Sequence, residues 1–109
     1  MKAVMRSYCV YVLLGRPKRL SFSSLLRLRL RGKLVWFTPR APFWAKLLGI
    51  LIRPLPNTDE LLLWDLGRLS DVWENKMLTL VPLTDPARAF LQNHRKTLEI
   101  SYRFERENL

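Results

Sequence analysis

"SLLRLRLRGKLVWF", residues 24–37, sets leucine against arginine in near-strict alternation. Successive side chains of a strand point to opposite faces. Read that way, Leu26, Leu28, Leu30, Leu34 and Trp36 share one face, and Arg27, Arg29, Arg31 and Lys33 share the other. A helix would scatter the arginines in steps of about 100° and leave no clean apolar stripe, so the alternation predicts a strand. Gly32 marks a bulge, or a turn that divides the run into a hairpin. At about 3.4 Å per residue the arginines would stand about 6.8 Å apart, a stiff row able to follow a phosphate backbone.

The charge around this stretch is one-sided. The chain has 109 residues and a formal net charge of +10. Residues 1–54 carry twelve Lys and Arg and no Asp or Glu. Residues 55–109 carry the other seven and all nine acids, a net of −2. A basic half beside a mildly acidic half suits a polyanionic or acidic partner. Apolar residues make up 49% of the chain, enough for a core, and the length fits a single domain over 1–109.

Outward from the opening stretch, "AVMRSYCVYVLL" (3–14) is β-branched and aromatic and predicts a first strand that "GRPKR" ends. In 43–53, Trp44, Leu47, Leu48 and Leu51 keep helical spacing after Pro42, while "GILIRP" also reads as a strand. In 60–67 the chemistry favours a helix over a strand. Asn57 or Thr58 caps it, Asp59 and Glu60 meet its positive end, and Gly67 stops it before a second short helix over "SDVWEN". "KMLTLVPL" (76–83) predicts a strand. A helix follows, with Thr84 or Asp85 as cap and Pro86 in its first turn, its apolar face formed by Ala87, Phe90, Leu91 and His94. "LEISYRFE" (98–105) alternates strictly and predicts a half-exposed strand with Leu98, Ile100, Tyr102 and Phe104 inward. The order predicts an α+β fold: a mixed or antiparallel sheet with two or three short helices.

Catalytic chemistry is sparse. One His and one Cys, far apart in sequence, support neither a metal site nor a nucleophile pair. Cys9 reads as a small buried hydrophobe. The four glycines match no phosphate-loop spacing, and no cofactor is implied. A metal-independent RNA-cleaving toxin would draw on His94, Tyr102 and Arg103, but Tyr102 falls on the inward face, so the reading is non-catalytic.

The binding residues expected from charge are Arg16, Lys18, Arg19, Arg27, Arg29, Arg31, Lys33 and Arg40, with Trp36, Phe37 and Trp44 as interface aromatics. The expectation is a small basic protein that binds nucleic acid, or a nucleoprotein machine, through a basic sheet face. The alternative is a phage- or mobile-element-type accessory protein that docks on a nucleic-acid-processing enzyme and inhibits or modulates it. Its tryptophans and arginines are of the types enriched at interface hot spots. A further alternative is attachment to a membrane surface through "PFWAKLLGILIRP". No apolar run reaches the roughly 20 residues of a membrane span. The lone cysteine fits a reducing, cytoplasmic setting. The acid-free, arginine-rich start leaves organellar import open.

Overall fold

Val, Tyr, Trp and Phe concentrate in two short runs, and both are strands buried on both faces: Cys9–Leu14 (β1) and Lys33–Phe37 (β2). The computed structural model describes residues 9–16, 22–73 and 76–104. Between the two strands lies the helix Phe22–Arg31 (α1). The leucine–arginine stretch is therefore a helix up to Arg31 and a strand only from Lys33, which overturns the reading of one basic strand. Its residues explain the outcome. From Phe22 to Arg31 there is no β-branched residue, only Ser, Leu and Arg after the Phe, and Leu and Arg rank high in helix propensity. Leu25 and Leu28, three apart, are buried, while Leu26 and Leu30 stay exposed.

Gly32 ends α1, its N–H donating to Leu28 O at 3.1 Å. A Cβ there would run into the Cys9 carbonyl, so only glycine lets the chain turn straight from α1 into β2 beside β1. It makes neither a bulge nor a hairpin.

The remaining elements are helix Phe43–Leu47 (α2), strand Leu51–Arg53 (β3), helix Asp59–Val72 (α3), strand Met77–Pro82 (β4), helices Asp85–Asn93 (α4) and Arg95–Leu98 (α5), and strand Arg103–Phe104 (β5). Residues 43–53 thus hold both a helix and a strand, joined through Gly49 at φ +78°. Thr58 caps α3 by accepting from Leu61 N at 3.3 Å. α3 runs through Gly67 instead of stopping there. Leu62, Leu66 and Leu69 bury a continuous stripe, which outweighs the roughly 1 kcal/mol a mid-helix glycine costs. Thr84 caps α4 through Ala87 N, as its sequence suggests.

The predicted strand 98–105 shrinks to two residues. Ser101 N and Tyr102 N both donate to Leu98 O, so the chain coils there, and the alternating Ile100 is left exposed. Leu98 and Tyr102, four apart, are buried as the alternation places them, but through a turn rather than a strand.

The five strands lie in the order β3-β2-β1-β4-β5, and every pairing is parallel. The expected α+β fold with a mixed or antiparallel sheet is therefore corrected to α/β. With residues 22–31 helical, the link between β1 and β2 is long enough for a crossover, which the parallel pairing of these neighbours requires. Parallel sheets need cover on both faces. Tyr11, Leu13, Leu34 and Trp36 pack with α1 and α2. Val10, Val12, Val35 and Phe37 pack with α3, α4 and α5.

The Tyr102 phenol is buried and donates to Leu66 O, tying the chain after α5 to α3. Burial, and secondarily the charge of Asp71, pushes its pKa far above the ordinary tyrosine value. The unfolded chain ionises at about pH 10 while the native chain keeps its proton, so this contribution to stability is present below that pH and lost as pH rises further. Urea unfolding should show stability falling more steeply between about pH 9 and about pH 11 in the native protein than in Tyr102→Phe. The variant should itself cost about 1 kcal/mol at neutral pH. Parallel pH profiles for the two would contradict this account.

Candidate functional site

An all-parallel sheet gathers every strand's carboxyl end on one edge. β1 leads there into Gly15 and Arg16, β2 into Thr38 and Arg40, and β3 ends on Arg53. Hydrogen bonds continue past the strands and fix this edge. Gly15 N donates to Phe37 O at 2.9 Å, Thr38 N to Arg53 O at 3.0 Å, and Leu83 N to Leu14 O at 2.9 Å. The Thr38 hydroxyl is buried; it donates to Arg40 O at 3.0 Å and accepts from Arg40 N at 3.3 Å. Arg16 Nη1 reaches across to Arg40 O at 2.8 Å. Arg16, Arg40 and Arg53 are all exposed, and no acid occurs in residues 1–54 to neutralise them.

Two of these three are on the sequence-derived list. Arg53 is not, although the pattern "ILIRP" before Pro54 held its signal: a short apolar strand ending on arginine. Only the parallel arrangement reveals that such an end lies beside the ends of β1 and β2.

The other expected residues separate. Arg29 is turned inward, its Nε donating to Leu48 O at 2.9 Å and its guanidinium lying against Gly49, so it braces α1 to the turn after α2. Arg27 and Arg31 are exposed on α1, and Arg31 lies over the Tyr11 ring at 5.2 Å. Lys33 begins β2 at the opposite, amino edge, with Nζ 6.0 Å from the Trp73 ring centre. The row Arg27, Arg29, Arg31, Lys33 therefore does not exist as a sheet face. Lys18 and Arg19 lie outside the described residues.

Trp36 and Phe37 are core residues, so neither offers a ring face for stacking. Trp36 serves the edge from below, Nε1 donating to Gly15 O at 2.8 Å. Gly15 sits at φ +90°, and a Cβ there would come within 2.6 Å of Thr84 Oγ1, where the ends of β1 and β4 converge. Trp44 is half-buried and meets Phe22 edge-on at 5.2 Å.

On the far side of Gly15 lies a cleft of about 190 Å³, walled by Leu14, Leu62, Ala87 and Phe90 and rimmed by Asn57, Thr58, Asp59 and Thr84. It occupies the point where strand order reverses between β1 and β4, the usual ligand position in open α/β sheets. Asp59 Oδ2 in its rim is 3.1 Å from His94 Nε2.

Cys9 and His94 lie on opposite faces of the sheet: Cys9 packs with the α1 and α2 side, whereas His94 stacks on Phe90 on the other. Tyr102 spends its hydroxyl on Leu66 O. Among the described residues, no three His, Cys, Asp or Glu side chains gather closely enough to hold a metal ion. No helix among them is long and apolar enough to cross a membrane.

The contrast between Arg29 and Arg27 is measurable. Arg29→Ala removes a charge-assisted bond from a half-buried site and should cost about 1–3 kcal/mol in urea unfolding. Arg27→Ala, on the exposed helix face, should stay within about 0.5 kcal/mol. Equal effects would contradict the separation of brace from surface.

No family model, curated protein or solved structure matches the chain.

Proposed function

We propose that the protein binds nucleic acid without cleaving it, through the phosphate backbone, at the carboxyl edge of its sheet. The observation that carries this reading is the placement of Arg16, Arg40 and Arg53 at the ends of three adjacent strands, in a half of the chain without acids. Adjacent strands lie about 4.8 Å apart, so the three ends span about 10 Å of edge. One strand of a duplex rises about 6.8 Å over three phosphates and about 10 Å over four, so the edge spans three to four phosphates. A guanidinium carries five N–H donors in a fork that matches phosphate oxygens, and the bond from Arg16 to Arg40 O occupies one of them.

The buried positions of Trp36 and Phe37 remove base stacking by those rings from the reading. What remains is contact with phosphate, which positions a protein but carries little sequence information. Binding is therefore expected to be weakly selective and dominated by counterion release. Arg27 and Arg31, exposed on α1, add to the general field without belonging to the edge.

Titration of a labelled oligonucleotide duplex by fluorescence anisotropy tests this. Three phosphate contacts predict a slope of about −2.7 in log affinity against log salt, so about 500-fold is lost over a tenfold rise in salt. The triple substitution Arg16→Glu, Arg40→Glu and Arg53→Glu should abolish binding, while Arg27→Glu should weaken it only a few-fold. No binding at low salt, or binding indifferent to the triple change, would overturn the proposal. That result would turn attention to docking on a nucleic-acid-processing enzyme.

A further inference from the structure

We propose that copies of this chain associate head to tail, helix α3 of one copy seating in the trough between α1 and α2 of the next. Among the described residues, two apolar surfaces without a partner lie on opposite faces of the sheet, and their charges are opposite.

The first surface belongs to α1 and α2. Phe22, Leu26 and Leu30 form an exposed stripe along α1, one turn apart. Phe43 and Leu47, 81% and 79% exposed, continue it on α2. The Phe22–Trp44 ring contact and the Arg29 bond to Leu48 O tie the two helices together, and the exposed apolar side chains they share are the trough of this proposal. Arg27, Arg31 and Lys46 stand exposed on the same two helices, and the segment from Phe22 to Leu47 contains no acid.

The second surface is the outer side of α3. Its inward stripe is Leu62, Leu66 and Leu69; pointing away from it are Leu61, Trp64 and Val72. Trp64 is 65% and Val72 72% exposed, unusual for a helix whose other face already fills the core. Glu60, Asp65 and Asp71 accompany them on α3, while Asp59 is engaged by His94 and Arg68, four residues from both Trp64 and Val72, is the one cation in the stripe.

The geometry decides the mode of assembly. α3 packs against the face of the sheet opposite to α1 and α2, so the α3 of one copy cannot reach that copy's own trough. A symmetric dimer of troughs would set arginines and lysine against their like, and a symmetric dimer of α3 would oppose acids. Only ridge into trough pairs opposite charges while burying both apolar stripes, and that contact is heterologous. The lengths suit it, about 21 Å for the fourteen residues of α3 and about 15 Å for the ten of α1.

Sedimentation velocity on the full chain, from about 5 to about 500 µM, spans the weak range of small interfaces. The weight-average mass of the native protein should rise with concentration. Phe43→Asp with Leu47→Asp, which spoils the trough, and Trp64→Arg, which spoils the ridge, should each raise the dissociation constant at least about tenfold. Each variant keeps one good surface, so an equimolar mixture should give a one-to-one dimer that neither forms alone. If a variant loses its helical circular dichroism, Lys46→Glu and Asp71→Lys replace the pair. Each should weaken association about threefold at low salt, and their mixture should restore it.

A native protein that stays monomeric, a variant that self-associates as the native chain does, or a mixture that stays monomeric would overturn the proposal. A monomeric native protein that pellets with vesicles of anionic lipid, and fails to do so after Phe43→Asp, would assign the trough to a membrane surface instead.

Discussion

β1 is hydrogen-bonded along both edges, to β2 and to β4, and covered on both faces. From Val10 to Leu14 no side chain reaches solvent appreciably. A parallel strand in that position imposes its terms on the rest of the chain. Each neighbour must return by a crossover, each crossover helix must bring an apolar stripe, and both faces must be closed. Leu25 and Leu28 on α1 meet that demand on one side, and Leu62, Leu66 and Leu69 on α3 meet it on the other. The same constraint leaves the charges where they are. Residues that serve neither face, Arg16, Arg40 and Arg53 among them, are displaced to the carboxyl edge. Arg29 is drawn into the scaffold.

Legibility in the sequence followed local chemistry. β4 and α4 are readable because "MLTLVP" is dense in apolar and β-branched residues and because Thr84 and Pro86 mark a helix start by mechanisms that act within one turn. The leucine–arginine stretch misleads because a period of two is visible to the eye, while the helix uses only Leu25 and Leu28 and tolerates exposed Leu26 and Leu30. Composition was the better guide there, since no β-branched residue occurs between Phe22 and Arg31. The run 98–105 misleads in the same way, through alternation that tertiary packing uses only in part. Once α1 is misread as a strand, antiparallel neighbours follow, and the sheet direction is lost with it.

The candidate site was half legible for a related reason. Net charge and the absence of acids before residue 54 are properties of composition and survive any misassignment. Which arginines meet is a property of topology. Arg16 and Arg40, twenty-four positions apart, touch because β1 and β2 are parallel neighbours, and Arg53 joins them because β3 ends alongside. Sequence spacing alone cannot distinguish these from Arg29, whose role as a brace depends on the turn at Leu48 and Gly49.

The central functional claim is that a polyanion meets the carboxyl edge of the sheet and not the outer face of α1. Backbone amide shifts in ¹⁵N-labelled protein, followed as an oligonucleotide is added at low salt, test this residue by residue. The account predicts the largest changes at Gly15, Arg16, Thr38, Arg40 and Arg53, with Arg29 little affected. Changes centred on Leu26, Arg27 and Leu30, with the edge silent, would contradict it.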